Sequence, residues 1–312
     1  MLTTAIVTLA LAAPAVTVTR YKSFDTVIAT SIATSPSGSQ FAVASEDNRI
    51  RIIDAKTMNT TFQLLGHPMT VYGLTFSNDG RYLLSGDESA RIYLWDTRTG
   101  KKVREFPRTK GHTRGIQAIA VSPNDRQFAT VGKDDVIKVW NMTGGDPIKT
   151  IEGKGANFYG ISYLPNGSFA TGTLAEGARL YTNKFDLAAK FTVDQGANDL
   201  ALNTNGSMGV TANRNGSVTL WNIAKREKVA TMPGHSDWVL GVAIAPNGKV
   251  AASSSTDSSV VLWDLKTYKK IATITERAYV DSLVAFTSDG KYLLTTDAGN
   301  ALQVYQVSPA QK

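Results

Sequence analysis

The most informative absences in this 312-residue chain are cysteine, which does not occur, and histidine, which occurs three times. Without cysteine the chain can form no disulfide framework, thiolate zinc site, iron–sulfur cluster or thiol nucleophile. Three histidines leave little imidazole for acid–base catalysis. The sequence also lacks a Gly-x-Ser-x-Gly elbow, a phosphate-binding loop and a His-Glu-x-x-His motif. We therefore expect a protein that is not an enzyme and has no cofactor and no metal ion.

Charge of one sign is not concentrated in blocks, although 33 basic against 26 acidic residues give a net charge of +7. One basic stretch runs from Lys101 to Arg114 and contains a single aromatic residue, Phe106. Nucleic-acid surfaces interleave basic and exposed aromatic side chains. We therefore predict a solvated outer strand and loop and expect no nucleic-acid partner. A binder of an anionic polymer remains an alternative.

The first fifteen residues contain no charged side chain. An apolar stretch from Ala5 to Ala13 leads into Ala13-Pro14-Ala15, a pattern typical of a secretory cleavage site. This predicts a cleaved signal peptide over 1–15 and a periplasmic or secreted protein. The missing Lys or Arg leaves an apolar tail of a cytoplasmic protein as the alternative. The stretch is shorter than the roughly 20 residues of a spanning helix, and we expect no membrane span.

Two markers repeat through the chain at one period, and they define seven repeat units. A turn pair recurs every 39 to 45 residues, at Ser37-Gly38, Asp79-Gly80, Asn124-Asp125, Asn166-Gly167, Asn205-Gly206, Asn247-Gly248 and Asp289-Gly290. A bulky residue closes each unit with nearly the same spacing, at Ile53, Trp95, Trp140, Tyr181, Trp221, Trp263 and Tyr305. Repeats of this length indicate stacked or radially arranged supersecondary units.

Each unit has the composition of short strands joined by tight turns. Runs such as Val260-Val261-Leu262-Trp263 are rich in β-branched residues, and no segment shows the period of an amphipathic helix. Asn-Gly and Asp-Gly supply the positive φ angles of two-residue hairpins. The sequence therefore predicts an all-β protein in which the units bury their faces against one another.

The spacing of histidine and tryptophan resembles that of the WD-repeat β-propeller family. His67, His112 and His235 each follow a glycine and lie 28 residues before a tryptophan of Trp95-Asp96, Trp140-Asn141 and Trp263-Asp264, and Trp221-Asn222 is a fourth such pair. The resemblance implies one seven-bladed β-propeller over 16–312, with four-stranded antiparallel blades.

The same resemblance implies that each histidine is structural, within a buried tetrad of His, Ser or Thr, Asp and Trp. It pairs Asp134 with His112 and Asp257 with His235, whereas Asp47 in unit 1 has no histidine. Units 4, 5 and 7 carry Ala175, Asn215 and Gly299 at the aspartate position. We expect those three units to be held mainly by apolar packing.

The final unit ends after its third strand, near Val307. The segment 16–22 alternates with the period of a strand and precedes the first complete unit. We predict that it supplies the missing outer strand and closes the last blade.

A candidate binding ring lies at the starts of the innermost strands. Two positions before the apolar core of each strand lie Thr30, Tyr72, Gln117, Tyr159, Asn198, Leu240 and Ser282, and all of these except Leu240 are polar or amphipathic. Trp238 is a further aromatic that no core position requires. Family members bind peptides or proteins at the mouth of the channel, so we predict a monomeric interaction platform that uses Thr30, Tyr72, Gln117, Tyr159, Asn198, Trp238 and Ser282. Ordinary solvation of strand ends is the alternative interpretation.

A calcium-assisted, lactonase-like propeller hydrolase is the alternative function. Its ligands would be Asp199, Asp237 and Asp281, which could lie on one face of a propeller.

Overall fold

The computed structural model describes residues 16–275, 283–297, 299 and 301–309, and within these ranges every regular element is a β-strand. Units 1 and 2 contain β1 (Val16–Thr34), β2 (Gln40–Ser45), β3 (Ile50–Asp54), β4 (Thr60–Leu64), β5 (Val71–Phe76), β6 (Tyr82–Asp87), β7 (Ile92–Asp96) and β8 (Lys101–Glu105). Units 3 and 4 contain β9 (Ile116–Val121), β10 (Gln127–Gly132), β11 (Val136–Asn141), β12 (Lys149–Glu152), β13 (Phe158–Tyr163), β14 (Phe169–Thr173), β15 (Gly177–Tyr181) and β16 (Leu187–Thr192). Units 5 and 6 contain β17 (Ala197–Leu202), β18 (Met208–Asn213), β19 (Ser217–Asn222), β20 (Glu227–Pro233), β21 (Val239–Ile244), β22 (Val250–Ser255), β23 (Ser259–Asp264) and β24 (Lys269–Thr275). Unit 7 contains β25 (Val284–Phe286), β26 (Tyr292–Thr296) and β27 (Ala301–Pro309).

All strand pairs are antiparallel, and units 2 to 6 each form a four-stranded sheet in chain order. The strands of units 1 and 7 form one seven-stranded sheet in the order β25-β26-β27-β1-β2-β3-β4. This arrangement of four-stranded antiparallel sheets is that of a β-propeller.

The long strand β1 joins the two ends of the chain. Its first part pairs with β27 from Val16, opposite Pro309, to Phe24, opposite Leu302. Its last part, Ala29 to Thr34, pairs with β2. The predicted partnership between the segment 16–22 and the third strand of unit 7 is therefore present, and the same strand continues into unit 1.

The turns between the first two strands of each unit contain the predicted positive φ angles, but they are longer than two residues. In unit 2 the connection is 77–81, where the Gly80 N–H donates to the Ser77 carbonyl at 2.9 Å and Gly80 has φ 70°. A type I turn followed by a left-handed residue gives this longer hairpin. The prediction of two-residue hairpins is wrong, since the connection in unit 2 is five residues long.

Seven apolar clusters fill the space between consecutive units, and one of them joins unit 7 to unit 1. Each cluster contains one bulky closing residue of the repeat, namely Ile53, Trp95, Trp140, Tyr181, Trp221, Trp263 or Tyr305. The innermost strands also contact one another in cyclic order, β1, β5, β9, β13, β17, β21, β25 and back to β1. A unit thus buries each face against a neighbour, which a single four-stranded sheet cannot do.

The basic stretch forms the outer edge of unit 2, as predicted. All five residues of β8 are exposed, and β8 is the edge strand of its sheet. Phe106, the one aromatic of the stretch, is buried and packs edge-on against Phe128 and Trp140. No aromatic side chain of the stretch is therefore left to stack on a nucleic-acid base.

Candidate functional site

The predicted ring surrounds a cavity of about 690 Å³ that runs along the innermost strands. Five of the predicted residues line it, and they come from five different units: Thr30, Tyr72, Gln117, Tyr159 and Asn198. Leu240 lines the cavity as well, and so does Phe286, the last residue of the inner strand β25. Ser282 falls outside the described residues. The starts of the inner strands thus bring together side chains that are about 40 residues apart in sequence.

Two residues of the ring bind the backbone of the neighbouring unit. Thr30 Oγ1 donates to the Val71 carbonyl at 2.7 Å, and Asn198 Nδ2 donates to the Val239 carbonyl at 2.8 Å. Each acceptor lies on the first strand of the next unit. These contacts satisfy carbonyls at the channel edge of strands that have no further strand beside them. Thr30 and Asn198 therefore stabilise the arrangement of neighbouring units.

Tyr72 and Tyr159 are half-buried in the cavity wall. The Lys133 ammonium lies 5.1 Å from the centre of the Tyr72 ring and forms a 2.6 Å ion pair with Glu88. Lys133 and Glu88 occupy corresponding turns after the second strands of units 3 and 2. The ion pair therefore links two adjacent units beside the cavity, and its net charge is close to zero.

Trp238 is 43% exposed and does not line the cavity. It lies directly before β21 and two residues before Leu240. The guanidinium of Arg214 stacks on its ring, with the Cζ atom 3.9 Å from the ring centre. The sequence pattern gives no sign of Arg214, because the contact joins the β18–β19 turn of unit 5 to unit 6.

The carboxylates proposed for calcium do not assemble among the described residues. Asp199 lines the cavity, Asp237 is exposed and does not line it, and Asp281 falls outside the described residues. The described ranges contain no group of three or more His, Asp or Glu side chains arranged for a metal ion. Asp237 instead accepts the Trp238 N–H at 2.7 Å.

Asp199 is the one carboxylate among the described residues that line this cavity. It accepts the N–H of Leu200 at 2.8 Å and that of Val242, in the next unit, at 3.2 Å. Burial raises the pKa of Asp199 to about 6, and the two backbone N–H groups only partly oppose this rise. Its neighbour Gly160 has no side chain, and a Cβ there would overlap the Asp199 carboxylate.

All three histidines lie in buried hydrogen-bonded tetrads. In unit 3, His112 Nδ1 is 2.8 Å from Asp134 and Nε2 is 2.8 Å from the hydroxyl of Thr130. That hydroxyl accepts the Trp140 indole N–H at 2.9 Å. Unit 6 has the same chain with His235, Asp257, Ser253 and Trp263. The predicted pairs of His112 with Asp134 and of His235 with Asp257 are confirmed.

The tetrads are satisfied with neutral histidine and ionised aspartate. Tryptophan can only donate and a carboxylate only accepts, so the histidine donates from Nδ1 and receives the hydroxyl proton at Nε2. Burial would raise the pKa of Asp134, but its hydrogen bonds, foremost that to His112, outweigh this effect and lower it. Burial lowers the pKa of His235. These histidines are occupied structurally and are not exposed bases.

Unit 2 uses an aspartate that the repeat spacing does not predict. His67 Nδ1 lies 2.8 Å from Asp87, at the end of β6 and eight residues before Trp95, not six. The rest of the tetrad, Ser85 and Trp95, is at the expected positions. Asp87 also accepts the N–H groups of Ser89 and Arg91, so the side chain reaches the histidine from the strand rather than from the turn.

Units without histidine have other polar contacts in its place. In unit 1 Arg51 forms a 2.6 Å ion pair with Asp47, and this hydrogen bond lowers the pKa of Asp47 to about 2. Units 4, 5 and 7 contain the pairs Arg179–Glu176, Thr219–Asn213 and Gln303–Asp297. Arg51, Arg179, Thr219 and Gln303 all lie two residues before the closing residue of their unit. The expectation that units 4, 5 and 7 rely mainly on apolar packing is therefore incomplete, since the side chain of the third strand replaces the histidine.

Comparison with known families agrees with this geometry. Residues 17–54, 58–96, 100–141 and 226–264, just over half of the chain, match the family described as WD domain, G-beta repeat. The chain belongs to the WD repeat family. Three of the matched segments contain the tryptophans of the histidine tetrads, and most of units 4, 5 and 7 lies outside the match.

Several curated WD repeat proteins are similar over part of the chain. Actin-interacting protein 1 of Drosophila melanogaster is 24% identical over 211 residues, which are 65% of this chain and 34% of that protein. An uncharacterised WD repeat-containing protein of Synechocystis sp. is 27% identical over 53% of this chain and 47% of its own length. Polyadenylation factor subunit 2 of Candida albicans is 29% identical over 37% of this chain and 21% of its own length. The matches span between a fifth and about half of these relatives.

None of these names indicates an exported protein, so the comparisons lend no support to the predicted periplasmic or secreted location. The predicted signal peptide, 1–15, falls outside the described residues. Across the described ranges, no helix is long and apolar enough to cross a membrane.

Proposed function

We propose that this WD repeat protein is a non-catalytic interaction platform that binds a protein or peptide at the channel mouth. WD repeat proteins typically act as scaffolds for protein partners. The observation that carries the proposal is the pair of half-buried tyrosines, Tyr72 and Tyr159, in the cavity wall, with the exposed Trp238 nearby. Tyrosine and tryptophan supply large contact area with a polar group at low entropic cost, and they dominate binding hot spots.

We further infer that the chain forms seven blades within one domain over 16–312. Two observations support this count: the cyclic contacts of the inner strands and the apolar cluster between units 7 and 1. The seven-stranded sheet then represents two blades that share β1, whose first part is the outer strand of the last blade. This closure leaves no bare edge on β27, the third strand of the last blade.

The binding proposal is tested with peptides selected from a random display library on the immobilised protein. Tyr159→Ala and Trp238→Ala should each weaken the selected peptides about thirtyfold, equivalent to about 2 kcal/mol. Their melting temperatures should change little, because neither side chain belongs to the apolar clusters of the described residues. Isothermal titration measures the affinity.

Charge reversal at Lys101 and Lys102 on the outer strand provides the control. Both side chains are exposed on β8, at the outer edge of unit 2. The double variant should bind the selected peptides like the parent. Binding that is lost in this variant and retained in Tyr159→Ala would contradict the proposal and move the site to the outer face.

Export and oligomeric state are proposals with direct tests. N-terminal sequencing of protein made in its native host would give Val16 as the first residue if the segment 1–15 is a cleaved signal, and an intact Met1 or Leu2 if it is not.

The proposed monomeric state has a test of its own. Sedimentation equilibrium should give the mass of a monomer.

A further inference from the structure

A stacked cation and aromatic pair lies beside the proposed binding site. The Arg214 guanidinium is 3.9 Å from the centre of the Trp238 ring. Both residues have fixed backbones: the Arg214 N–H donates to the Gly196 carbonyl, and the Trp238 carbonyl accepts the N–H of Thr256. The bond from Asn198 to the Val239 carbonyl joins units 5 and 6 next to Trp238. The backbone segments that carry the pair are therefore held in place before any ligand arrives.

Arg214 has hydrogen-bonding capacity that the described residues do not use. Its Nε is buried and has no hydrogen-bond partner, and no carboxylate of a described residue lies within 4 Å of its guanidinium. Lys133 provides the contrast, because it also lies over an aromatic ring, that of Tyr72, yet is neutralised by Glu88 at 2.6 Å. Of these two cation–aromatic pairs, only Arg214 retains an unpaired charge.

A guanidinium stacked on an aromatic face still presents its N–H groups in the plane of the fork. That geometry matches a carboxylate, which can accept two parallel N–H bonds. The exposed Asp237 next to Trp238 repels any anion, and it repels a doubly charged phosphate more strongly than a singly charged carboxylate. A phosphate would therefore call for more cations than this single arginine.

We propose that Arg214 and Trp238 form a subsite for an acidic side chain, Asp or Glu, of the protein partner. Arg214 binds the carboxylate, and the exposed part of the Trp238 ring packs against the aliphatic part of that side chain or its backbone. The inference rests on the proposed function and adds the partner chemistry to it: a partner segment with an acidic residue next to the part that contacts Tyr72 and Tyr159.

Trp238 supplies a built-in reporter for the test. Four of the five tryptophans, at 95, 140, 221 and 263, are buried, so the indole N–H signal of Trp238 is distinguishable in a ¹⁵N-labelled sample. The probes are acetylated, amidated tetraglutamate, tetraglutamine and a phosphoserine tetrapeptide at constant ionic strength. We expect tetraglutamate to shift the Trp238 signal and tetraglutamine to leave it in place. Arg214→Gln should weaken tetraglutamate about tenfold, and Arg214→Lys should weaken it less.

The matched control is Arg226→Gln, which removes a cation from the opposite end of the same unit, in the β19–β20 turn. It should bind tetraglutamate like the parent. Equal affinity of the parent and Arg214→Gln for tetraglutamate would overturn the subsite, and so would equal affinity of the parent for tetraglutamate and tetraglutamine. Phosphoserine peptide binding at least tenfold tighter than tetraglutamate would overturn the choice of a carboxylate.

The display-selected peptides separate this inference from the proposed function. Peptides that are weakened by Tyr159→Ala and unaffected by Arg214→Gln would leave the channel-mouth site standing and remove the acidic subsite. Peptides weakened by neither variant would overturn both. Peptides weakened by both, with an acidic residue enriched in the selected sequences, would support both.

Discussion

Units with histidine and units without it hold their sheets together by different means. In unit 2 the side chains of His67 and Asp87 are 1% and 0% exposed, whereas in unit 1 those of Arg51 and Asp47 are 13% and 40% exposed. His67 reaches its aspartate from the loop that joins β4 of unit 1 to β5, so it connects that loop to the second strand of unit 2. Arg51 reaches its aspartate from the third strand of the same hairpin.

The difference teaches how a repeat tolerates the loss of its characteristic residues. A neutral histidine satisfies a buried carboxylate without bringing a second charge into the interior, whereas Arg51 and Arg179 bring a second charge and pair with carboxylates that are 40% and 20% exposed. Where histidine is missing, the aspartate or glutamate is more exposed and its partner changes. The apolar cluster around the closing residue is present in both kinds of unit, so it carries the fold, and the polar contacts add to it.

Unit 7 lacks histidine and depends on the first part of β1, which comes from the other end of the chain. Loss of this strand segment should therefore have the largest effect on stability. Deletion of 16–24 removes the partner of β27. We expect a loss in the free energy of unfolding above about 5 kcal/mol, more than a single core truncation, and association through the bare edge. Urea unfolding and light scattering measure both. A chain that starts at Val16 is the control, and a deletion variant that melts like this control and remains monomeric would contradict the closure.

Loss of histidine should cost more where its aspartate is more deeply buried. His67→Ala leaves Asp87 without its partner at 0% exposure and should cost about 2 to 4 kcal/mol, and His235→Ala, with Asp257 at 10% exposure, about 1 to 3 kcal/mol. Adding Asp87→Asn to His67→Ala should recover part of the loss in a double-mutant cycle. If both histidine variants lose the same free energy of unfolding and Asp87→Asn recovers none of it, burial of the carboxylate is not the cause of the loss.

Within the described ranges, the carboxylate of Asp199 in unit 5 interacts with two backbone N–H groups and with no histidine or cation. Its pKa in the folded state is about 6, above the usual 3.8, so the folded state binds the proton more tightly and stability falls as pH rises from about 4 to 6. Asp199→Asn should therefore gain about 2 to 3 kcal/mol over the parent at pH 7.5 relative to pH 4. Urea unfolding at the two pH values measures this, and an unchanged difference would contradict it.

The smallest effect should come from unit 1. Arg51→Gln removes the partner of Asp47, whose folded-state pKa is about 2, so the contribution of the pair is present above pH 4 and lost as pH falls towards 2. Because Asp47 is 40% exposed, we expect a loss below about 1 kcal/mol at pH 7 and none at pH 2. A loss as large as that of His67→Ala would erase the distinction between the two kinds of unit.

The sequence alone determined the features that repeat along the chain. The turn glycines, the closing residues and the Gly-His spacing predicted the all-β class, the family and the tetrads of units 3 and 6. The same alignment selected Thr30, Tyr72, Gln117, Tyr159 and Asn198, which all line one cavity. These features follow from local periodicity, since each strand alternates its faces and each turn needs a particular backbone conformation.

Only the tertiary structure decided which side chains meet between strands and between units. Asp87 replaces the expected turn aspartate because it is close to His67 in space, not because of its position in the repeat. Arg214 meets Trp238 because unit 6 packs beside the second turn of unit 5. A periodic pattern records which face a residue occupies, whereas these contacts depend on the rotation between neighbouring sheets, which no single repeat contains.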